Sequence, residues 1–449
     1  MPALTLAIVI AFCVGYLFIA IESVTRVNKA AVALLMLVVT WTLFMVNPAA
    51  YLPASVGGDV ASAVGEIIER HLGATATTLF FLMGAMTIVE LVDRNGGFNF
   101  VRDVMRTHSK RALLWRIAFV TFFLSAILDN LTTSIVMIMI LRKLVSERQD
   151  RVVYASLVII AANSGGAFSP IGDVTTIMLW NKGVITALGV VAWLLIPSLV
   201  SMMLPAYVLS LSLQGNLGQA ITQAPVEQSN ELTATQRKVI FFLGVGGLIF
   251  VPVFKSVTHL PPFVGILLVL GVLWTVTEVF YSRQENGEGN GTVRNRVSQI
   301  LSRIDMSTIL FFLGILMAVA CLQTVGVLTM LGDGLNNIFN GNHYLTTGII
   351  GMLSSIVDNV PLVAGCMGMY PVTAVGDMAV DGIFWHLLAY CAGVGGSMLI
   401  IGSAAGVVVM GLEKISFGWY MRHISWIAFA GYLAGMLCYW AERSLTLGY

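Results

Sequence analysis

Asp129-Asn130-Leu131-Thr132-Thr133 and Asp358-Asn359-Val360-Pro361 set two Asp-Asn pairs inside apolar stretches. On insertion scales an Asp at the centre of a membrane helix costs about 2.5–3.5 kcal/mol, so such residues point to function. Two more polar interruptions accompany them. The first is Asn163-Ser164-Gly165-Gly166, continuing through Pro170-Ile171-Gly172-Asp173-Val174-Thr175-Thr176; the second is Gly395-Gly396-Ser397, continuing to Gly402-Ser403. Gly165, Gly166, Pro170, Gly172, Gly395, Gly396 and Gly402 interrupt the helical hydrogen-bond ladder and free carbonyls and half-helix ends to face a cavity. The side chains offered are carboxylate, amide and hydroxyl oxygens, the ligands a small hard cation prefers. Asp129, Asn130, Asp358 and Asn359 are the expected sodium ligands, with Thr132, Thr133, Asn163, Ser164, Asp173, Thr175, Thr176, Ser354, Ser397 and Ser403 around them. No Lys, Arg or His lies within the four motifs, which counts against an anionic substrate. A carboxylate out of water holds a proton more readily, and a cation beside it drives that proton off. Sodium and protons are therefore expected to take turns at these groups, with no cofactor.

The elements that position such groups must be membrane helices. Of the 449 residues 57% are hydrophobic and only 10% charged, and the mean hydropathy is +0.88. That composition excludes solvated soluble domains and nucleic-acid partners, and it implies lipid as the surroundings. Backbone groups in hydrocarbon must be satisfied internally, so an all-α polytopic membrane protein is expected. The stretch Leu4 to Ala20 is expected as a mature transmembrane helix, because no Lys or Arg precedes Arg26 and no small-residue cleavage site follows.

Internal repetition organises the chain. Ser125-Ala-Ile-Leu-Asp129-Asn130 recurs as Ser354-Ser-Ile-Val-Asp358-Asn359, and Gly165, Gly166 and Gly172 recur as Gly395, Gly396 and Gly402. Each half reads as the same parts. The first has helices at 3–20, 28–46 and 75–92, arms at 112–128 and 131–146, an interrupted helix at 152–180 and a helix at 185–211. The second has helices at 236–254, 260–281 and 306–325, arms at 345–357 and 360–370, an interrupted helix at 385–411 and a helix at 424–441. The predicted units are a first repeat over 1–211, a cytoplasmic linker over 212–235 and a second repeat over 236–449. Reading each pair of arms as a re-entrant hairpin gives five crossings per repeat, one of them broken, and inverts the second repeat. With both termini periplasmic, all but four of the 24 Lys and Arg, Arg26 and Lys29 among them, fall on the cytoplasmic side. The four exceptions are Arg70, Lys182, Lys255 and Arg443.

Plainer roles compete at each position. Asp129, Asp173 and Asp358 can cap the helices that follow them. Glu90, Glu278 and Asp305 read as solvated ends, the histidines as residues in or beside loops with a pH-sensing role as the competing reading, and the five cysteines as isolated small hydrophobes. An intramembrane aspartyl protease would need a Tyr-Asp partner motif, and the chain has no Tyr-Asp, so no enzyme is expected.

In Asp129-Asn130-Leu-Thr-Thr, in Asn163-Ser-Gly-Gly through Pro-Ile-Gly-Asp173-Val-Thr175-Thr176, and in Ser354 to Asn359, the chain resembles the NhaD-type sodium/proton antiporters. These belong to a superfamily that also holds arsenite permeases and divalent anion/sodium symporters. The resemblance covers nearly the whole chain. It implies functional roles for Asp129, Asn130, Asn163, Asp173, Thr175, Thr176, Ser354, Asp358 and Asn359, together with a bacterial inner membrane, a part in pH homeostasis and often a homodimer. The divalent anion carriers bear Ser-Asn-Thr at their hairpin tips, whereas these tips read Asp-Asn-Leu-Thr and Asp-Asn-Val-Pro. An arsenite or other oxyanion permease is the alternative within the superfamily.

Overall fold

The computed structural model describes residues 3–20, 25–52, 60–97, 101, 104–105, 107–213, 215–217, 232–285, 304–356 and 358–447. Most of the predicted linker, and the basic residues Arg102, Arg106, Arg294, Arg296 and Arg303, lie outside the described residues. The described chain is helical, with no strand and one isolated bridge between Ser109 and Asn216.

The first half comprises α1 (Ala3–Ala20), α2 (Lys29–Phe44), α3 (Val60–Arg94), α4 (Lys110–Leu128), α5 (Asn130–Leu144), α6 (Arg148–Ala167), α7 (Val174–Lys182) and α8 (Ala187–Ser212). The second comprises α9 (Ala234–Thr258), α10 (Pro262–Glu285), α11 (Met306–Thr324), α12 (Val327–Ile338), α13 (His343–Leu353), α14 (Asn359–Met369), α15 (Ile383–Gly395), α16 (Ala404–Glu413), α17 (Phe417–His423) and α18 (Ser425–Leu447). Six helices, α3, α4, α8, α9, α10 and α11, are long and apolar enough to cross a bilayer, and the bent pair α17–α18 makes a seventh. The chain is a polytopic membrane protein.

Three elements depart from expectation. Helix α3 has 35 residues, beginning at Val60 rather than 75, because Gly65 and Gly73 sit where nothing crowds them and no proline stops the helix. His71 is thereby a helix residue and not a loop residue. Helices α12 and α17 are additional, short pieces of 12 and 7 residues inserted between predicted elements. The arm α4 has 19 residues and is itself long enough to span, whereas α5, α13 and α14 have 15, 11 and 11.

Glycines set the central packing. A Cβ on Gly165 would lie 2.1 Å from the Phe122 carbonyl oxygen, and one on Gly395 2.2 Å from the Gly351 oxygen, so α6 presses backbone to backbone on α4 and α15 on α13. Close approach of this kind is the usual role of small residues between membrane helices. The polar contacts repeat too: Ser125 Oγ donates to Ala162 O at 2.6 Å, and Ser354 Oγ to Ala392 O at 2.8 Å. Gly165→Ala is expected to force α4 and α6 apart and lower stability by about 1–3 kcal/mol, as overpacked cores do. Thermal unfolding in detergent measures this, and an unchanged midpoint would contradict the contact.

Charged clusters tie distant segments at the two ends of this core. Glu413, 3% exposed, accepts from Arg142 Nε and Arg151 Nε, each at 2.7 Å, joining the end of α16 to α5 and α6. At the opposite end Thr186 donates to Asp381 from both its backbone N and its Oγ, each at 2.7 Å. Burial pushes the Asp381 carboxyl up, but hydrogen bonds from His386 and Thr186 outweigh it and hold it at about 2. His386 is fully buried in the first turn of α15. Its Nδ1 faces Arg443 Nη2 at 2.8 Å, and because Arg can only donate, Nδ1 must accept, which leaves Nε2–H for Asp381 at 3.2 Å. His386 is thus a neutral structural bridge.

Candidate functional site

The helix breaks and arm tips meet. Short helices α5, α7, α14 and α16 all start at the meeting point, and each start is capped by a side chain from its own motif. Asp129 accepts from Thr132 N at 2.7 Å, Asp173 from Thr175 N at 2.9 Å, Asp358 from Val360 N at 3.1 Å and Ser403 from Gly406 N at 3.2 Å. Helix N-termini favour negative charge, which explains an Asp at three of the four.

Capping does not exhaust their roles. Asp173, only 1% exposed, stands at the centre. Its Oδ2 accepts from Asn130 Nδ2 at 2.8 Å and from Asn359 Nδ2 at 3.2 Å, so the amides of both tips close on one carboxylate. Its Oδ1 accepts from the Thr175 backbone and hydroxyl, both at 2.9 Å. These donors are all neutral; they solvate the carboxylate without cancelling its charge. Asn130 Nδ2 also reaches Asn163 Oδ1 at 3.1 Å, and Asn163 Nδ2 donates to Ser397 Oγ at 3.0 Å and Ser403 Oγ at 2.9 Å. One buried network therefore joins all four sequence motifs across the two halves.

The remaining candidates take outlying places. Thr176 Oγ donates back to the Asp173 carbonyl, and Ser354 to Ala392 O. Ser164 accepts from Ser201 Oγ of α8 at 3.0 Å, a partner that gave no signal in the sequence. Thr133 is fully buried, and its hydroxyl has no hydrogen-bond partner among the described residues. Thr132 Oγ donates to Asp129 Oδ2 at 2.9 Å. Asp129 has φ 86° and ψ 159°, a region nearly exclusive to glycine that costs on the order of 1–3 kcal/mol and clusters at functional sites. Asp358, at φ −49°, is unstrained, so the two tips differ.

Asp358 has company the sequence did not foretell. Lys29 Nζ lies 3.8 Å from its Oδ2, and the buried Tyr16 hydroxyl sits beside its backbone. A lone Lys at the edge of an apolar stretch reads as a topogenic charge, and only the packing of α2 brings it to the tip.

On another face Arg70, Lys182 and Lys255, three of the four basic residues expected outside, line one cavity of about 710 Å3 together with His71 and His259. Among the described residues no Asp or Glu lines it. Lys182 Nζ donates to Met367 O at 2.7 Å and Lys255 Nζ to Trp180 O at 2.9 Å, carbonyls in the last turns of α14 and α7.

Comparison with known proteins identifies the lineage. The family described as citrate transporter matches residues 16–388. Sodium/proton antiporter 1 of Arabidopsis thaliana is 44% identical over 98% of this chain and 73% of its own length, and sodium/proton antiporter 2 of the same plant is 40% identical over 97% and 99%. The Na(+)/H(+) antiporter NhaD of Vibrio cholerae is 28% identical over 96% of this chain and 90% of its own. By these matches and its motifs, the chain belongs to the citrate-transporter family of ion transporters, within its NhaD-type sodium/proton antiporter branch.

Proposed function

We propose that this chain is a secondary active antiporter of an energy-coupling inner membrane, exchanging sodium or lithium for protons at the Asp173 centre. The carrying observation is the convergence of Asn130 and Asn359 on Asp173. Both amides offer N–H to the carboxylate. Rotating either amide presents its oxygen instead, so the same three side chains can surround a cation. A proton on Asp173 and a sodium ion bound to it exclude one another, and that competition suffices for exchange. Asp129, Asp358, Asn163, Thr175, Thr176, Ser397 and Ser403 complete the proposed site.

Contacts recurring at offsets of 229 and 230 residues support two inverted repeats with re-entrant tips. Ser125–Ala162 matches Ser354–Ala392, and Gly165–Phe122 matches Gly395–Gly351. In such a fold the ion site lies near the bilayer midplane at the repeat interface, and motion of one part against another alternates access. The oxyanion-permease reading would need free donors at the four helix starts. Three of these starts instead carry an Asp carboxylate, whose charge repels an anion and favours the cation.

Purified protein in proteoliposomes containing a pH-sensitive dye tests the reading. A sodium or lithium pulse should dissipate an imposed proton gradient. A gradient indifferent to both ions, yet collapsed by arsenite or citrate, would overturn it.

A further inference from the structure

Asp358 carries a cation of its own, delivered by a helix outside all four motifs. Lys29 stands in the first turn of α2, whose end is fixed because Asn28 accepts from Ala30 N at 2.8 Å and from Ser307 Oγ at 3.0 Å. Its ammonium lies 3.8 Å from Asp358 Oδ2 and 4.5 Å from the centroid of the Phe311 ring. The Lys29 and Asp358 side chains are 26% and 20% exposed, so the pair is not sealed inside the helix packing. The first tip is different. Asp129 accepts its hydrogen bonds from Thr132 N and Oγ, which are neutral.

An ion pair of this kind is a competitor held in place. A sodium ion approaching Asp358 meets a carboxylate already neutralised and must displace an ammonium that cannot diffuse away. The four-carbon stem of Lys lets the ammonium move without moving the helix, and the Phe311 face gives it a second resting place through a cation–π contact. When sodium leaves, the ammonium returns.

On the sodium-exchange reading above, we propose that Lys29 is a tethered counter-cation that competes with the transported ion for Asp358, weakening sodium binding at the second tip and speeding its release. It acts as a positioning residue. Sodium is held by Asp358 or displaced from it according to where one side chain lies. No bond is made or broken, and charge at the tip stays balanced in both states.

Equilibrium binding of radioactive sodium to the purified full chain tests this at one fixed alkaline pH, alongside initial exchange rates in proteoliposomes. Lys29→Gln should bind sodium roughly tenfold more tightly, the scale of a coupled, partly exposed charge pair. It should lower KM and kcat together, because nothing then helps expel the ion. Lys29→Arg, which keeps the charge, should stay within about threefold of wild type. In an Asp358→Asn background, Lys29→Gln should change sodium binding no further. Unchanged or weaker binding in Lys29→Gln, or equal tightening with Asp358 already removed, would overturn the proposal; Lys29→Met supplies a second neutral variant should Lys29→Gln not accumulate. Absence of sodium binding and exchange in wild type would instead sink the antiport reading itself.

Discussion

Asp173→Asn should abolish sodium-coupled proton movement and leave a folded, thermally stable protein. The substitution keeps size and shape: Asn Oδ1 can still accept from Thr175, while its NH2 replaces Oδ2 and is met by the Asn130 and Asn359 amides once they rotate to present oxygen. What disappears is the negative charge. A sodium ion in a buried site without it is uncompensated, a loss of about 3–5 kcal/mol when one partner of a buried charge pair is removed, or roughly 10^2–10^3.5 in affinity. In the absence of sodium the variant should unfold at the same temperature as wild type or higher, because a buried charge solvated by neutral donors has gone. Residual exchange within tenfold of wild type would refute the central role of Asp173. A sharp drop in thermal midpoint would assign it to folding instead.

Glu413→Ala is the substitution expected to damage the fold most. Two guanidinium groups share one carboxylate that is almost wholly shielded, and Arg142 also donates to the Leu412 carbonyl. Removing the anion leaves like charges adjacent where α5, α6 and α16 meet. Breaking a fully buried pair costs about 3–5 kcal/mol; Arg142 and Arg151, 42% and 19% exposed, can partly rehydrate, so about 2–4 kcal/mol is the fitting range. For a chain of this length that is a fall of roughly 2–4 °C in thermal midpoint. Glu413→Gln should fall between the two, since it keeps an acceptor and loses the charge. Identical melting of wild type and Glu413→Ala would mean the cluster is ornamental.

Much of this architecture was legible in the sequence for identifiable reasons. Doubled motifs marked both interruptions, and oxygen-only side chains in apolar surroundings marked the chemistry. Their weighting was harder to read. The Asp-Asn pairs drew attention to Asp129 and Asp358, but the structure centres the network on Asp173, whose counterpart Ser403 has no charge. A repeat shows what both halves share, so it understates a residue that one half alone supplies. Lys29 and Ser201 were hidden because α2 and α8 reach the site only through packing between elements far apart in sequence. The start of α3 was missed because hydropathy falls around Glu66, Glu69 and Arg70, and a helix that continues into a polar region keeps its hydrogen bonds while losing its apolar signal.

The basic cavity sets a local potential on one face of the molecule. Arg70, Lys182 and Lys255 bring three formal positive charges to its wall. The carbonyl ends of α7 and α14 return only about half a negative charge each. A mouth left at one or two kT of positive potential thins monovalent cations roughly three- to sevenfold relative to bulk solution. If sodium enters by that face, static charge alone would raise the bulk concentration needed to fill the site from there, while the gradients still set the direction of net exchange.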